Sequence, residues 1–207
     1  MATAYKTVAK AAIAEYVDRR SRFIGAVCPV TTEKEALDFI AAKKKEHWDA
    51  RHNVYAYVIR EGGISRFSDD NEPQGTAGLP TLEVLQKHGL TDCVMVVTRY
   101  FGGILLGTGG LVRAYSQSAA LAVGEAGVIE RRLCAYGEIV CDYAQYGFLQ
   151  SLIPECGGRV DDAVFANAVT VSLHLPIESV DAFQKQLTDR SCGALTFAQT
   201  DEGYDSF

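Results

Sequence analysis

The sequence predicts a two-domain α+β protein, and three observations point to this. Strand-like and helix-like segments alternate along the 207 residues, the alternation restarts after Arg132, and the charge balance changes at the same place. Residues 1–132 carry 17 basic and 15 acidic side chains, a net charge of +2, whereas residues 133–207 carry 3 and 11, a net charge of −8. We therefore predict one domain over 1–132 and a second over 133–207.

The composition is that of an ordinary globular chain, with 48% apolar and 22% charged residues. The first residues lack a basic leader, and no apolar run approaches the roughly 20 residues of a membrane span, so a cytoplasmic location is expected. The six cysteines are scattered without a CxxC pair, which indicates neither zinc nor a disulfide framework and predicts buried free thiols. The net charge of −6 argues against nucleic acid for the whole chain, and the charge shift leaves the first domain as the part suited to it.

The first domain begins with two alternating segments around a polar turn at 18–21. Thr32 and Glu35 form a capping box for the next helix, whose last turn carries Lys43–Lys45, interpreted as a solvated helix end rather than a binding patch. The predicted elements are strands at 11–17 and 23–30, a helix after Thr32, a strand at 53–60, a loop at 65–78, a helix at 79–89, a strand at 93–98 and a helix ending near Gly124.

The second domain follows a β-α-β-β-α-β order, which is that of ferredoxin-like folds. Asp142 is placed to begin its first helix. The predicted elements are a strand at 133–141, a helix at 143–156, a hairpin of strands at 158–166 and 168–176, a helix at 177–190 and a strand at 194–200.

The stretch RYFGGILLGTGGLVRAY, residues 99–115, lies between a buried strand and a helix. Its glycines permit close backbone approach, Thr108 is a candidate N-cap, and Arg113 lies in the first helical turn, where the helix dipole disfavours a cation. Arg99 and Arg113 with the free amides could hold a phosphate or carboxylate, or the glycines could serve a tight turn with the arginines paired to nearby acids. It matches neither a Walker nor a Rossmann fingerprint.

A second unusual stretch, SDDNEPQGTAGLP, residues 68–80, places Asp69, Asp70 and Glu72 in one loop. Such carboxylates can ligate a metal, act as an acid/base pair or form an Asx-turn network, and the turn network is favoured. His52 could act as a base if it faced this loop, but no Ser/Cys–His–Asp order singles it out.

Together, HNVYAY, SDDNEPQGTAGLP and VVTRYFGGILLGTGGLVRAY, which span about Arg51–Tyr115, resemble the signature of the IMPACT family and its bacterial YigZ-type members. The resemblance implies an N-terminal ribosomal-protein-type βαββα fold and a C-terminal ferredoxin-like βαββαβ domain similar to domain V of elongation factor G. It further implies a link to translation, because eukaryotic relatives regulate translation by competing for the activator of an amino-acid-starvation kinase. For bacterial members it implies RNA or ribosome binding.

We therefore hypothesise a binding protein, with no cofactor, no metal site and no catalytic residue, that contacts RNA, the ribosome, a translation factor or a phosphate-like anion through one N-terminal groove. The alternatives are an enzyme acting on a phosphorylated small molecule, in which Asp70 or Glu72 holds Mg²⁺ or acts as base, and a pure protein-interaction module. The candidate binding residues are His52, Asp69, Asp70, Glu72, Gln74, Gly75, Thr76, Arg99, Tyr100, Phe101, Gly102, Gly103, Gly107, Thr108, Gly109, Gly110 and Arg113.

Overall fold

The computed structural model describes residues 3–206, and the chain in it divides into two compact units. One unit is Tyr5–Glu130, and the other comprises residues 131–206 together with residues 3 and 4. The termini of the two predicted domains, Met1 with Ala2 and Phe207, lie outside the described residues.

The N-terminal unit is built on the strands β2 (Ala12–Asp18), β3 (Ser21–Pro29), β4 (His52–Ile59), β5 (Ile64–Ser68) and β6 (Cys93–Tyr100). They form an antiparallel five-stranded sheet of order β2-β3-β6-β4-β5. The central strand β6 is buried at seven of its eight residues because helices cover both faces.

Three helices cover this sheet: α1 (Glu33–Glu46), α2 (Gly78–Lys87) and α3 (Gly107–Ala126). The capping box of Thr32 and Glu35 begins α1, as predicted. Alternate residues of β6 pack against different helices: Met95 and Val97 share a core with α2 and α3, whereas Val94 and Val96 pack with α1.

The C-terminal unit has the predicted ferredoxin-like order of elements. Its strands are β7 (Val128–Cys141), β8 (Arg159–Phe165), β9 (Val169–Pro176) and β10 (Ala198–Ser206), and its helices are α4 (Tyr143–Glu155) and α5 (Val180–Arg190). The order is β10-β7-β9-β8 with antiparallel neighbours, and Asp142 with Gln145 forms a capping box at α4.

Four local predictions are wrong. Strand β1 (Ala4–Val8), which pairs with β7, was not predicted, and residues 65–68, expected in a loop, belong to β5. The last strand begins at Ala198 rather than at residue 194. Thr108 does not cap α3: the helix begins at Gly107, so Thr108 is its second residue, and the cap position, Leu106, makes no side-chain capping bond.

The thiols are all free, as expected, but not all buried. Cys93, Cys134 and Cys141 are buried, whereas Cys192 is exposed in the turn after α5. Across residues 3–206, none of the helices has the length and apolar character needed to cross a membrane.

Candidate functional site

Most of the predicted binding residues gather at one end of the N-terminal sheet. The register pairs Asp18 with Ser21, Arg22 with Tyr100 and His52 with Arg99, so the ends of β2 and β6 and the starts of β3 and β4 coincide there. Four connections meet at this end, which we call the loop end: residues 18–21, 47–51, 69–77 and 101–106. Helices α2 and α3 begin there, and α1 ends there.

The first two acids of the 69–77 loop bind backbone. Asp69 accepts hydrogen bonds from the amides of Gly75 (2.8 Å), Ala77 (3.1 Å) and Gly78 (2.7 Å), and so caps α2 from outside the helix. Asp70 accepts from the amide of Asn53 at 2.7 Å and from Lys44 Nζ at 3.1 Å. These contacts shape the loop, but they reach residues distant from each acid and are not the i-to-i+2 bonds of an Asx turn.

The third acid, Glu72, is buried with Arg99. Its Oε1 accepts from Arg99 Nη1 at 2.5 Å and from the Tyr115 hydroxyl at 2.9 Å, and His52 Nε2 lies 3.8 Å away. The side chains of Glu72 and Arg99 are 4% and 7% exposed. Burial, with the Glu72 carboxylate beside it, raises the pKa of Tyr115, so its hydroxyl stays a donor. This ion pair holds the 69–77 loop on the sheet.

Three further contacts complete the buried cluster. His52 Nδ1 lies 2.8 Å from the carbonyl oxygen of Asp70, and the Arg99 guanidinium carbon lies 5.5 Å and 5.6 Å from the ring centres of Phe23 and Phe101. Arg99 therefore lies beneath Phe101 and pairs with a nearby acid, which is the second of the two roles considered for it.

The remaining residues of the 69–77 loop are structural or exposed. Gly75 has a φ of +75°, and the hydroxyl of buried Thr76 donates to the carbonyl of Pro73 at 2.6 Å. Gln74 is exposed.

Residues 100–103 continue β6 into the next connection. Tyr100 donates to Asp49 at 3.0 Å, and burial together with that carboxylate raises the pKa of Tyr100. Phe101 is 42% exposed. At Gly102 a Cβ would lie 2.1 Å from the carbonyl carbon of Arg20, so only glycine allows the 101–106 connection to pack on the 18–21 turn. Gly103 has a φ of +83° and is exposed.

Arg113 lies apart from the buried cluster. It is exposed and lines a groove of about 300 Å³ with Tyr16, Asp18, Arg19, Leu106 and Gly110. Three more candidate residues lie at the start of α3. Gly107 has a φ of +69°, and Thr108 and Gly109 are exposed. The lining of the Arg113 groove includes Leu106 and Gly110 of the 99–113 segment but neither Arg99 nor a residue of the 69–77 loop, so a single groove shared by all these segments stays a prediction.

Sequence reasoning missed four exposed residues of the loop end. Arg19 and Arg20 form the two-residue turn between β2 and β3 with φ of +43° and +68°, where asparagine and glycine are the usual occupants. Trp48 is 82% exposed and Leu105 is 80% exposed. The available signal was an Arg-Arg pair at a predicted tight turn and a lone tryptophan in a polar segment after a helix.

Comparison with known proteins gives the same two-part division. Residues 19–123 match the Impact N-terminal domain, and residues 139–194 match a domain of unknown function, DUF1949. The chain is 41% identical over 194 residues to the IMPACT family member YvyE of Bacillus subtilis, covering 93% of this chain and 89% of that protein. It is 34% identical over 187 residues to the IMPACT family member YigZ of Escherichia coli, covering 89% and 92%.

Two further similarities show how much of the chain is matched. Protein IMPACT of Bos taurus is 35% identical over 94 residues, which is 44% of this chain and 30% of that protein. A crystal structure described as that of a hypothetical protein superposes with a TM-score of 0.62 at 31% identity, covering 97% of this chain and 99% of the other. With both domains matched in order and bacterial relatives aligned over most of their length, the chain belongs to the IMPACT family.

Proposed function

We propose that this chain is a non-catalytic cytoplasmic binding protein that acts on translation, and that it contacts RNA, the ribosome or a translation factor through the loop end of its N-terminal unit. The resemblance to the IMPACT family, which implies a link to translation, supports the assignment to this process. The charges of the loop end support its assignment as the binding surface.

The observation that carries the proposal is a set of five cations at the loop end. All five are exposed, and none has a hydrogen bond or ion pair from its side chain within residues 3–206. They are Arg19, Arg20, Lys45, Arg51 and Arg113. Including Lys45 departs from the interpretation of Lys43–Lys45 as a solvated helix end, because Lys43 and Lys44 pair with Glu46 and Asp70 and Lys45 does not. Two of them occupy a left-handed turn that disfavours arginine, and strain of this kind tends to be retained at functional sites. Phosphate groups are the partners that such a surface attracts.

The start of α3 adds backbone donors beside Arg113. Asp69 occupies the corresponding donors of α2, whereas α3 begins without a side-chain cap and with no acid in its first turn. An anion bound at the amides of Thr108 and Gly109 would satisfy these donors and the charge of Arg113 together.

The three acids of the 69–77 loop favour binding over catalysis. Asp69, Asp70 and Glu72 are engaged with amides, Lys44 and Arg99, and these contacts shape the loop. The enzyme alternative requires one of them to leave its partners.

Cosedimentation of the purified full-length chain with ribosomes, with and without nuclease, tests the proposal. Arg113→Glu should weaken association at least about tenfold at low salt, because it replaces a cation with an anion in the groove. Lys10→Glu is the matched control: Lys10 is also exposed and without a side-chain partner among the described residues, but it lies before β2, at the opposite end of the sheet. Wild-type affinity should fall as salt rises.

Two results would overturn the proposal: a wild-type chain that binds neither ribosomes nor RNA, or a folded Arg113→Glu variant that binds as wild type does at every salt concentration. Binding that survives nuclease and high salt would instead favour the pure protein-interaction module.

A further inference from the structure

Trp48 is the one tryptophan in the sequence, and the fold makes almost no use of it. Its side chain follows the end of α1 and is 82% exposed, whereas buried aromatic rings such as Phe23 and Tyr115 contact one another in the core. A large apolar ring left in water contributes little to the stability of the unit. Its position therefore calls for an explanation outside the fold.

The turn that carries Trp48 is held in place on both sides. Ala50 donates its amide to the carbonyl of His47 at 3.0 Å, and Asn53 donates to the same carbonyl at 3.4 Å. The Tyr100 hydroxyl lies 3.0 Å from His47 Nδ1 and donates to Asp49 Oδ1 at 3.0 Å. The residues on either side of Trp48 are thus tied to the end of β6, and the indole projects from a fixed base. A preorganised aromatic loses little conformational entropy when it is covered.

The charges beside Trp48 indicate what covers it. Lys45 and Arg51 flank it in sequence and have no side-chain partner within residues 3–206. The two nearby acids are engaged, Glu46 with Lys43 at 2.7 Å and Asp49 with Tyr100. An exposed aromatic ring between free cations is the arrangement that binds single-stranded nucleic acid, because bases stack on the ring while the cations follow the phosphates.

We propose that Trp48 is a stacking platform for an unpaired base of RNA bound at the loop end. The inference rests on the proposed function and specifies single-stranded RNA as the partner. Lys45 and Arg51 contact the phosphates on either side of the stacked base. A duplex does not satisfy this arrangement, since its base faces are already stacked on one another.

The lone tryptophan makes a direct test possible. We would titrate the full-length chain with an adenine oligoribonucleotide of about 12 nucleotides, which lies within the usual range of site sizes, and with the same strand annealed to its complement. Indole fluorescence should be quenched by the single strand and change little with the duplex.

Substitutions separate stacking from general apolar contact. Trp48→Leu should weaken single-strand binding at least about tenfold, and Trp48→Phe should weaken it less, because a ring remains for stacking. Both variants should keep the wild-type unfolding midpoint, since the side chain is exposed. Phe39→Leu, a partly buried aromatic on α1, is the matched control and should leave RNA affinity unchanged.

The outcomes distinguish this inference from the proposed function. If Trp48→Leu binds the single strand as wild type does while Arg113→Glu does not, the stacking role is wrong and the proposed function stands. If wild type binds neither RNA nor ribosomes, both fail. If Trp48→Leu abolishes a ribosome association that nuclease leaves intact, Trp48 contacts a protein, and the RNA assignment is overturned.

Discussion

At the scale of single residues, the buried and exposed parts of the loop end have different tasks. Glu72 and Arg99 pair beneath the surface, whereas Arg113 lies in an open groove. Within one sequence motif, Arg99 thus stabilises the site and Arg113 is accessible to a ligand.

Gly102→Ala should destabilise the N-terminal unit by about 1–3 kcal/mol, because its Cβ would meet the backbone of Arg20. Gly109→Ala is the matched control: nothing lies within 4 Å of its Cβ, and alanine is the better helix former, so stability should stay level or rise. Denaturant unfolding of the two variants measures the difference. Equal stability of Gly102→Ala and wild type would show that the close approach is not needed.

Asp70→Asn should lower the free energy of unfolding by about 1–2 kcal/mol and leave metal affinity unchanged. The Asp70 carboxylate accepts hydrogen bonds from the Asn53 amide and from Lys44, and an uncharged side chain with a single acceptor oxygen cannot replace both. Unfolding and calorimetric titration with Mg²⁺ and Mn²⁺ measure the two quantities. Tight metal binding by wild type that disappears in Asp70→Asn would contradict the loop-shaping role and favour the enzyme alternative.

At the scale of elements, the turn of the β2–β3 hairpin exposes two positive charges at a cost in stability. Its two turn residues are arginines with positive φ, a conformation that carries a cost for any side chain with a Cβ. The hairpin nevertheless forms, because β3 is paired with β6 from Arg22 to Pro29.

Replacing Arg19-Arg20 with Asn-Gly should stabilise the protein by about 1–2 kcal/mol, because these residues suit the turn, and should weaken RNA or ribosome binding. Thermal unfolding and cosedimentation of the same variant provide both readouts. Lys-Lys at the same positions serves as a control that keeps the charge and the strain. Stability that does not rise with Asn-Gly would mean that the strain is relieved elsewhere.

At the scale of the whole molecule, charge assigns the binding role to one unit. The described unit boundary, between Glu130 and Arg131, lies close to the predicted domain boundary at Arg132, and the −8 segment lies beyond it. Such a segment repels phosphates, so the C-terminal unit is not expected to contact RNA backbone.

Fragments 1–132 and 133–207 should each unfold cooperatively, and 1–132 should retain ribosome or RNA binding. The cut leaves the N-terminal sheet complete and keeps every β7–β9 pair of the C-terminal unit, from Cys134 to Cys141. Circular dichroism during thermal unfolding tests the first statement and cosedimentation the second. If neither fragment unfolds cooperatively, the two-domain prediction is wrong.

The sequence by itself determined the fold class, the order of nearly all elements, two helix caps and the family, because these depend on local periodicity, capping chemistry and contiguous motifs. It also identified the 69–78 and 99–113 segments as candidate sites, and their residues do meet at the loop end. Strands β1 and β5 were missed because a short edge strand is defined by its partner rather than by its own pattern.

Only the tertiary structure decided which side chains of the site are accessible. Arg99 and Arg113 are alike in sequence, yet register places Arg99 opposite His52 under Phe101, while helical geometry leaves Arg113 outside. The structure likewise placed Arg19, Arg20 and Trp48 at the loop end, although up to about 90 residues separate them from the rest of the site. Exposure and partner choice depend on contacts distant in sequence, and no local pattern contains that information.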